Sequence, residues 1–172
     1  MACSENGDYY RLIKIAIKNQ GNTELRYEHS IHGFSKLSDI ISQPNTAQQQ
    51  HIRSELDPLG RISAWLLVHK EEVVRTLARY DYDEQGDLLV ATDEYGHCYN
   101  YVYDHHLLTR YTDRNGISVN LEYDGIDHTS RAIHEWSDDG TMENWLSWDE
   151  ERNITYFAQG NPEHYTIYHN DA

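Results

Sequence analysis

Between Tyr80 and Asp124 two markers recur in fixed phase, and a chain that carries them has few architectures open to it. A Tyr-Asp pair stands at Tyr82-Asp83, Tyr103-Asp104 and Tyr123-Asp124, at intervals of 21 and 20 residues. Between the pairs lies Asp-x-x-Gly, at Asp93 to Gly96 and again at Asp113 to Gly116. Each of these glycines precedes the next paired tyrosine by seven residues. Self-similarity at a period of about 20 residues marks a repeat architecture, in which each unit buries its face only against its neighbours.

The unit reads as a β-hairpin. Asp-Glu-Tyr-Gly and Asp-Arg-Asn-Gly supply a turn, with Asp to bond nearby backbone and Gly to take a positive φ without a Cβ clash. After the first turn Tyr99, Tyr101 and Tyr103 share one face, with Asn100 and Val102 opposite. After the second, Ile117, Val119, Leu121 and Tyr123 are set to share a face, with Ser118, Asn120 and Glu122 opposite. Such period-two alternation between Gly, Asp and Asn clusters predicts strands. Leu88-Leu89-Val90 and Leu107-Leu108 form the other arms.

Weaker units extend the pattern both ways. Over 9–28, Leu12, Ile13, Ile15 and Ile17 lead into a turn cluster at Lys18 to Asn22, and the return ends in Tyr27-Glu28 where Tyr-Asp would stand. From His29, Gly33 and Phe34 precede an apolar arm at Leu37, Ile40 and Ile41. The polar stretch 42–51, with Pro44 and a glutamine run, is either a mobile connection or a long hairpin tip. His51 to Leu56 returns as a strand into Asp57-Pro58-Leu59-Gly60, which restates Asp-x-x-Gly. In 61–79 helical spacing competes with strand alternation, and the repeat context decides for two strands around Lys70-Glu71-Glu72. Beyond Asp124 a turn at Trp136 to Gly140 and an aromatic-Asp pair at Trp148-Asp149 continue the series, and a last unit carries Tyr165, Ile167 and Tyr168. About seven units or part-units span the chain.

Fourteen Tyr and four Trp against two Phe favour strands whose rings pack while a polar tip stays hydrated. The formal charge of −15 opposes a phosphate-binding groove and an anionic membrane surface. No apolar run is long enough to span a bilayer, and the first residues show no secretory signal. Two cysteines, Cys3 and Cys98, make neither a Cys-x-x-Cys nor a zinc site. Asp81 to Thr92 begins like a calcium loop but lacks the glutamate at its twelfth position, and reads as a turn. His105-His106, adjacent in a strand-like stretch, would point to opposite faces and could not chelate together. No His-Glu-x-x-His and no nucleophile elbow occurs.

Taken together, the Tyr-Asp pairs, the leucine arms, the Asp-x-x-Gly turns and the Tyr101-Val102-Tyr103-Asp104 run resemble the YD repeats of the Rhs family, related to the tyrosine-rich repeats of teneurins and insecticidal toxin complexes. The resemblance implies hairpins that wind side by side into a shell enclosing a toxin. It implies a protein partner, either a toxin domain or the remainder of such a shell. Seven units would make part of a wall, so the chain is expected to be a portion of a longer protein or a short stand-alone relative. Rhs-type proteins can close their shell with a self-cleaving segment containing Asp-Pro-x-Gly-Leu. Asp57-Pro58-Leu59-Gly60-Arg61 resembles its beginning, but Arg61 replaces the leucine and the stretch lies in the first half, so an ordinary turn is expected.

The expectation is an all-β chain of consecutive antiparallel hairpins, a single repeat domain over 1–172 forming a twisted, curved sheet or partial shell, with 80–124 its best-matching units. Its function is structural or interactive, with an acidic protein- or carbohydrate-binding module as the alternative. No enzymatic activity, cofactor, nucleic acid or membrane insertion is expected. The location is cytoplasmic, or outside after export without a Sec signal as part of a secretion system. The repeat-defining residues Tyr82, Asp83, Asp93, Gly96, Tyr103, Asp104, Asp113, Gly116, Tyr123, Asp124, Trp148 and Asp149 are expected to be scaffold.

Overall fold

The computed structural model describes residues 2–5, 9–17, 21–31 and 33–170. Among them there is no helix, and none that could cross a membrane. The first strands are β1 (Ala2–Glu5), β2 (Tyr9–Leu12), β3 (Lys14–Ile17), β4 (Gly21–Arg26), β5 (His29–Ile31), β6 (Phe34–Lys36), β7 (Asp39–Ser42), β8 (Gln50–Leu56), β9 (Ile62–His69) and β10 (Glu72–Tyr82). There follow β11 (Leu88–Asp93), β12 (Cys98–Asp104), β13 (Leu107–Thr112), β14 (Ser118–Tyr123), β15 (Ala132–Ser137), β16 (Glu143–Asp149), β17 (Ile154–Gln159) and β18 (Tyr165–His169). β1 pairs with β2 and β5 with β6, while the other fourteen form one antiparallel sheet in which β18 to β7 follow in order, then β4 and β3. The sheet is not closed into a barrel. Chain-order pairing is what a hairpin repeat requires, since each strand finds its partner across a short turn. By its contacts the chain divides into two compact units, Met1–Asp81 with Thr92–Gly96, and Tyr82–Ala91 with His97–Ala172.

In the first unit β3 and β4 form the expected hairpin, although Lys18, Asn19 and Gln20 of its turn lie outside the described residues. The next strand against β4 is β7, not β5, because β5 and β6 fold off as a separate ribbon. Its base is pinned where Ser38 N donates to Arg26 O at 2.8 Å and Glu28 N donates to Ser38 Oγ at 3.1 Å. Residues 61–79 are two strands, as the repeat context requires. The turn between them is Lys70-Glu71, both at positive φ (49° and 66°), the two-residue form whose twist matches right-handed strands. One face of β7 to β9 is buried, with Ile41, Ala64, Leu66 and Val68 as its apolar part.

The second unit corrects one sequence expectation. His105 and His106 are not strand residues: they form the two-residue turn between β12 and β13, at φ 51° and 65°. The strands on either side leave only two residues for the reversal, and the chain accepts left-handed histidines there. In β14 the buried residues are Ser118 and Val119 together, whereas Ile117 is exposed. Ser118 is drawn in because its hydroxyl meets Thr112 Oγ1 at 2.8 Å and its carbonyl accepts from Asp138 N at 2.9 Å.

Gly116 closes the turn from β13 to β14 at φ 85°, with open space where a Cβ would stand. Crowding is therefore no obstacle, and the cost of a side chain is the left-handed backbone alone. Gly116→Val is expected to destabilise by about 1–2 kcal/mol, because a β-branched residue opposes that region most strongly. Thermal melts with an unchanged midpoint would refute this.

Candidate functional site

The repeat-defining residues occupy strand ends and turns. Tyr82, Asp104, Tyr123 and Asp149 close β10, β12, β14 and β16, with Tyr103 and Trp148 one place earlier, while Asp83, Asp113, Gly116 and Asp124 lie in the connections and Asp93 and Gly96 bracket the turn after β11. The turn chemistry repeats. At Asp113, Oδ1 accepts from Asn115 N and Ile117 N at 2.8 and 2.9 Å, and the carbonyl accepts from Gly116 N at 3.0 Å. At Asp57 the same oxygen accepts from Leu59 N and Arg61 N, both at 2.9 Å, and Arg61 Nε reaches Oδ2 at 2.6 Å. Asp83 takes three backbone donors and Asp93 takes Tyr95 N. The Ile117 and Asn115 amides hold the Asp113 carboxyl below its ordinary range, as bonds to the charged form must.

A second repeated contact comes from tyrosine. Tyr123 Oη donates to Leu108 O at 2.8 Å, and Tyr27 Oη to Leu12 O at 3.0 Å, each spanning 15 residues. Tyr27 is thus the equivalent of Tyr123, as its place before Glu28 suggests. Asp83, Tyr103 and Asp104 meet in one surface depression of about 330 Å³ with Asp87 and His105. Burial first, and then the Asp87 carboxylate, push the Tyr103 hydroxyl above its ordinary pKa. The remaining repeat-defining residues are not gathered there.

Two clusters were not visible in the sequence. In the first unit Asp39 and His51, 4% and 5% exposed, meet at 2.5 Å between His51 Nε2 and Asp39 Oδ1. Arg53 Nε donates to the same oxygen at 3.0 Å, and its Nη2 continues to Glu71 at 3.2 Å. Burial pushes the Asp39 carboxyl up, but hydrogen bonds from His51, Ser38 and Arg53 outweigh it and leave the pKa lowered. A pocket of about 270 Å³ adjoins His51, with Thr46, Ala47 and Gln49 of the 43–49 loop among its walls. The cluster acts as a tie, buried between β7 and β8 at Asp39 and His51 and reaching the surface at Glu71 of the β9–β10 turn.

The other cluster lies on one face of the second unit. Register places Trp145 opposite His134 and Ala158, Ser147 opposite Tyr156, and Ala158 opposite Tyr165. His134 is sandwiched, its ring 4.5 Å from Trp136 and 5.0 Å from Trp145, nearly parallel to both. Glu143 and Glu122 stand 3.3 and 3.8 Å from its nitrogens. Beside this stack is a groove of about 690 Å³ bounded by Trp145, Ser147, Tyr156, Ala158, Pro162 and Tyr165. Tyr156 and Tyr165 meet edge to face at 5.2 Å and 84°, giving two walls at right angles. Ala158, 3% exposed, is the floor. The size suits a small ligand or a few side chains of a partner.

No protein-family model matches the chain, and no curated protein matches it. Solved structures do, among them a chain of the crystal structure of TcdB2-TccC3-TEV, at 13% identity and a TM-score of 0.33. That match covers 81% of this chain and 10% of the other, so the chain spans about a tenth of the length of the structure it resembles.

Proposed function

We propose that the chain is an architectural and interaction element, a run of Tyr-Asp-type hairpins forming a stretch of wall of the kind found in Rhs-type toxin-encapsulating shells. The observation that supports it best is repetition of bonding: the same tyrosine-to-carbonyl bond at Tyr27 and Tyr123, and the same aspartate turn at Asp57, Asp83, Asp93 and Asp113. Side chains used in the same way at several units hold a lattice, and the proposal includes no catalytic step. The partner is a protein, either an enclosed toxin domain or further wall. A second reading, an acidic protein- or carbohydrate-binding module, is favoured by the aromatic groove.

Among the described residues β3 and β18 stand at the ends of the sheet order, and every residue of both is exposed. A strand of that kind offers its outer backbone groups for pairing. Sedimentation over about two decades of concentration should therefore show end-to-end association. Tyr168→Lys, on exposed β18, should suppress it, because edge lysines block strand addition. A monomer throughout, or association indifferent to the lysine, would overturn the wall reading.

A further inference from the structure

The two units differ sharply in charge. Residues 82–91 with 97–172 carry seventeen Asp and Glu against four Arg and no Lys, a formal −13, whereas the remainder carries twelve against ten, a formal −2. Three of those four arginines are already engaged, Arg110 with Asp138, Arg131 with Glu150 and Arg152 with Asp149. The aromatic groove therefore sits in a field of uncompensated carboxylates, and no lysine or arginine lines it. Along β16 Glu143 and Asp149 alternate onto the face of Trp145 but already meet His134 and Arg152, whereas Glu163, directly after Pro162 of the groove wall, has no basic side chain against it among the described residues.

We infer that this groove is the docking site for an arginine-bearing, basic segment of a protein partner. Ring faces carry negative charge density and attract a guanidinium, and more strongly where carboxylates stand nearby and water is partly excluded. The molecule makes the same arrangement within itself: Arg131 lies 5.4 Å from the centre of the Trp148 ring while its guanidinium pairs with Glu150 at 2.9 Å. At Trp145 one ring face is held by His134, and the groove beside it has no arginine or lysine among its lining residues to offset the charge of the unit. The site is also set in advance, because His134 fixes one face of Trp145 and Tyr156 braces Tyr165, so little side-chain freedom is lost on binding. A phosphate-rich polymer would be repelled. A sugar could stack on the rings, but would gain nothing from the charge.

The inference deepens the interaction role proposed above and names the site and chemistry of that role. Isothermal titration of the full chain with an alternating arginine-glycine peptide should show binding that weakens several-fold as salt rises from about 50 to 200 mM, since the field is screened. The peptide with citrulline for arginine, the same shape without charge, should not bind. Tyr165→Ala, on an exposed strand where folding is little at risk, should weaken binding about tenfold, and Trp145→Phe less. Tyr95→Ala, exposed and outside the groove, should change nothing. Equal binding by Tyr165→Ala would mean unspecific attraction to an acidic surface and would overturn the site. So would binding of a linear glucan oligosaccharide in place of the peptide, or no binding of either. Tyr168 points to the face of β18 opposite Tyr165 and does not line the groove, so Tyr168→Lys tests association without altering a groove wall, and failure of the groove and failure of the wall reading are separable.

Discussion

Asp39→Ala should lower stability by about 3 kcal/mol, the largest loss expected from one side chain here. The carboxylate is nearly fully buried, and its removal strands two donors at once: His51 Nε2, buried beside it, and Arg53 Nε. The cost of breaking such a pair lies less in the lost attraction than in the uncompensated charge left behind. Arg53 can turn toward Glu71 and solvent, which keeps the estimate at the lower end of the range. Asp39→Asn, which keeps one acceptor, should cost less. The sign of the pH dependence follows from the lowered pKa of Asp39. Its contribution is complete above the unfolded value near 3.8 and is lost as pH falls through the lower folded value. Urea unfolding near neutral pH and again below pH 3.8 checks both parts. The wild type should converge toward Asp39→Ala in acid, and two parallel curves would remove Asp39 from the explanation.

That cluster shows what a sequence with a strong repeat still conceals. The turns at Asp93 and Asp113 were legible because their chemistry is local: an aspartate and a glycine three residues on determine the bonds without help from the rest of the chain. The tyrosine face of β12 was legible for the same reason, and Tyr99, Tyr101 and Tyr103 are the half-buried side of that strand. Asp39 and His51 are another matter. They meet only because the 43–49 loop sets β7 and β8 in a register with Ile41 opposite His51 and Asp39 opposite Arg53. A shift by one residue would send His51 to the other face. The aromatic groove depends on register across four strands, and it uses Trp145, three residues before the Trp148-Asp149 pair that the repeat pattern picks out. At His105-His106 the misreading has a simpler cause, since a two-residue turn without Gly or Asn carries no local mark.

Leu66→Ala should cost about 2–3 kcal/mol and separate a true core from a merely covered sheet face. Leu66 is 4% exposed on β9, between Ala64 and Val68 on the same face and opposite Arg53 on β8 and Thr76 on β10. Truncation removes its transfer energy and leaves a cavity, because strands held by hydrogen bonds on both sides cannot close over the gap. Leu89, 38% exposed on β11, is the control, and its truncation should cost under about 1 kcal/mol. The location of the damage is as diagnostic as its size. Strands in this order touch only their neighbours, so a loss at β9 should weaken amide-exchange protection in β8 and β10 and fade with each further strand. Protection in β16 and β17 should stay at the wild-type level. Uniform loss of protection from β7 to β18 would instead show that the hairpins unfold as one cooperative body, and a repeat whose units stand or fall together is not one whose wall can be extended unit by unit.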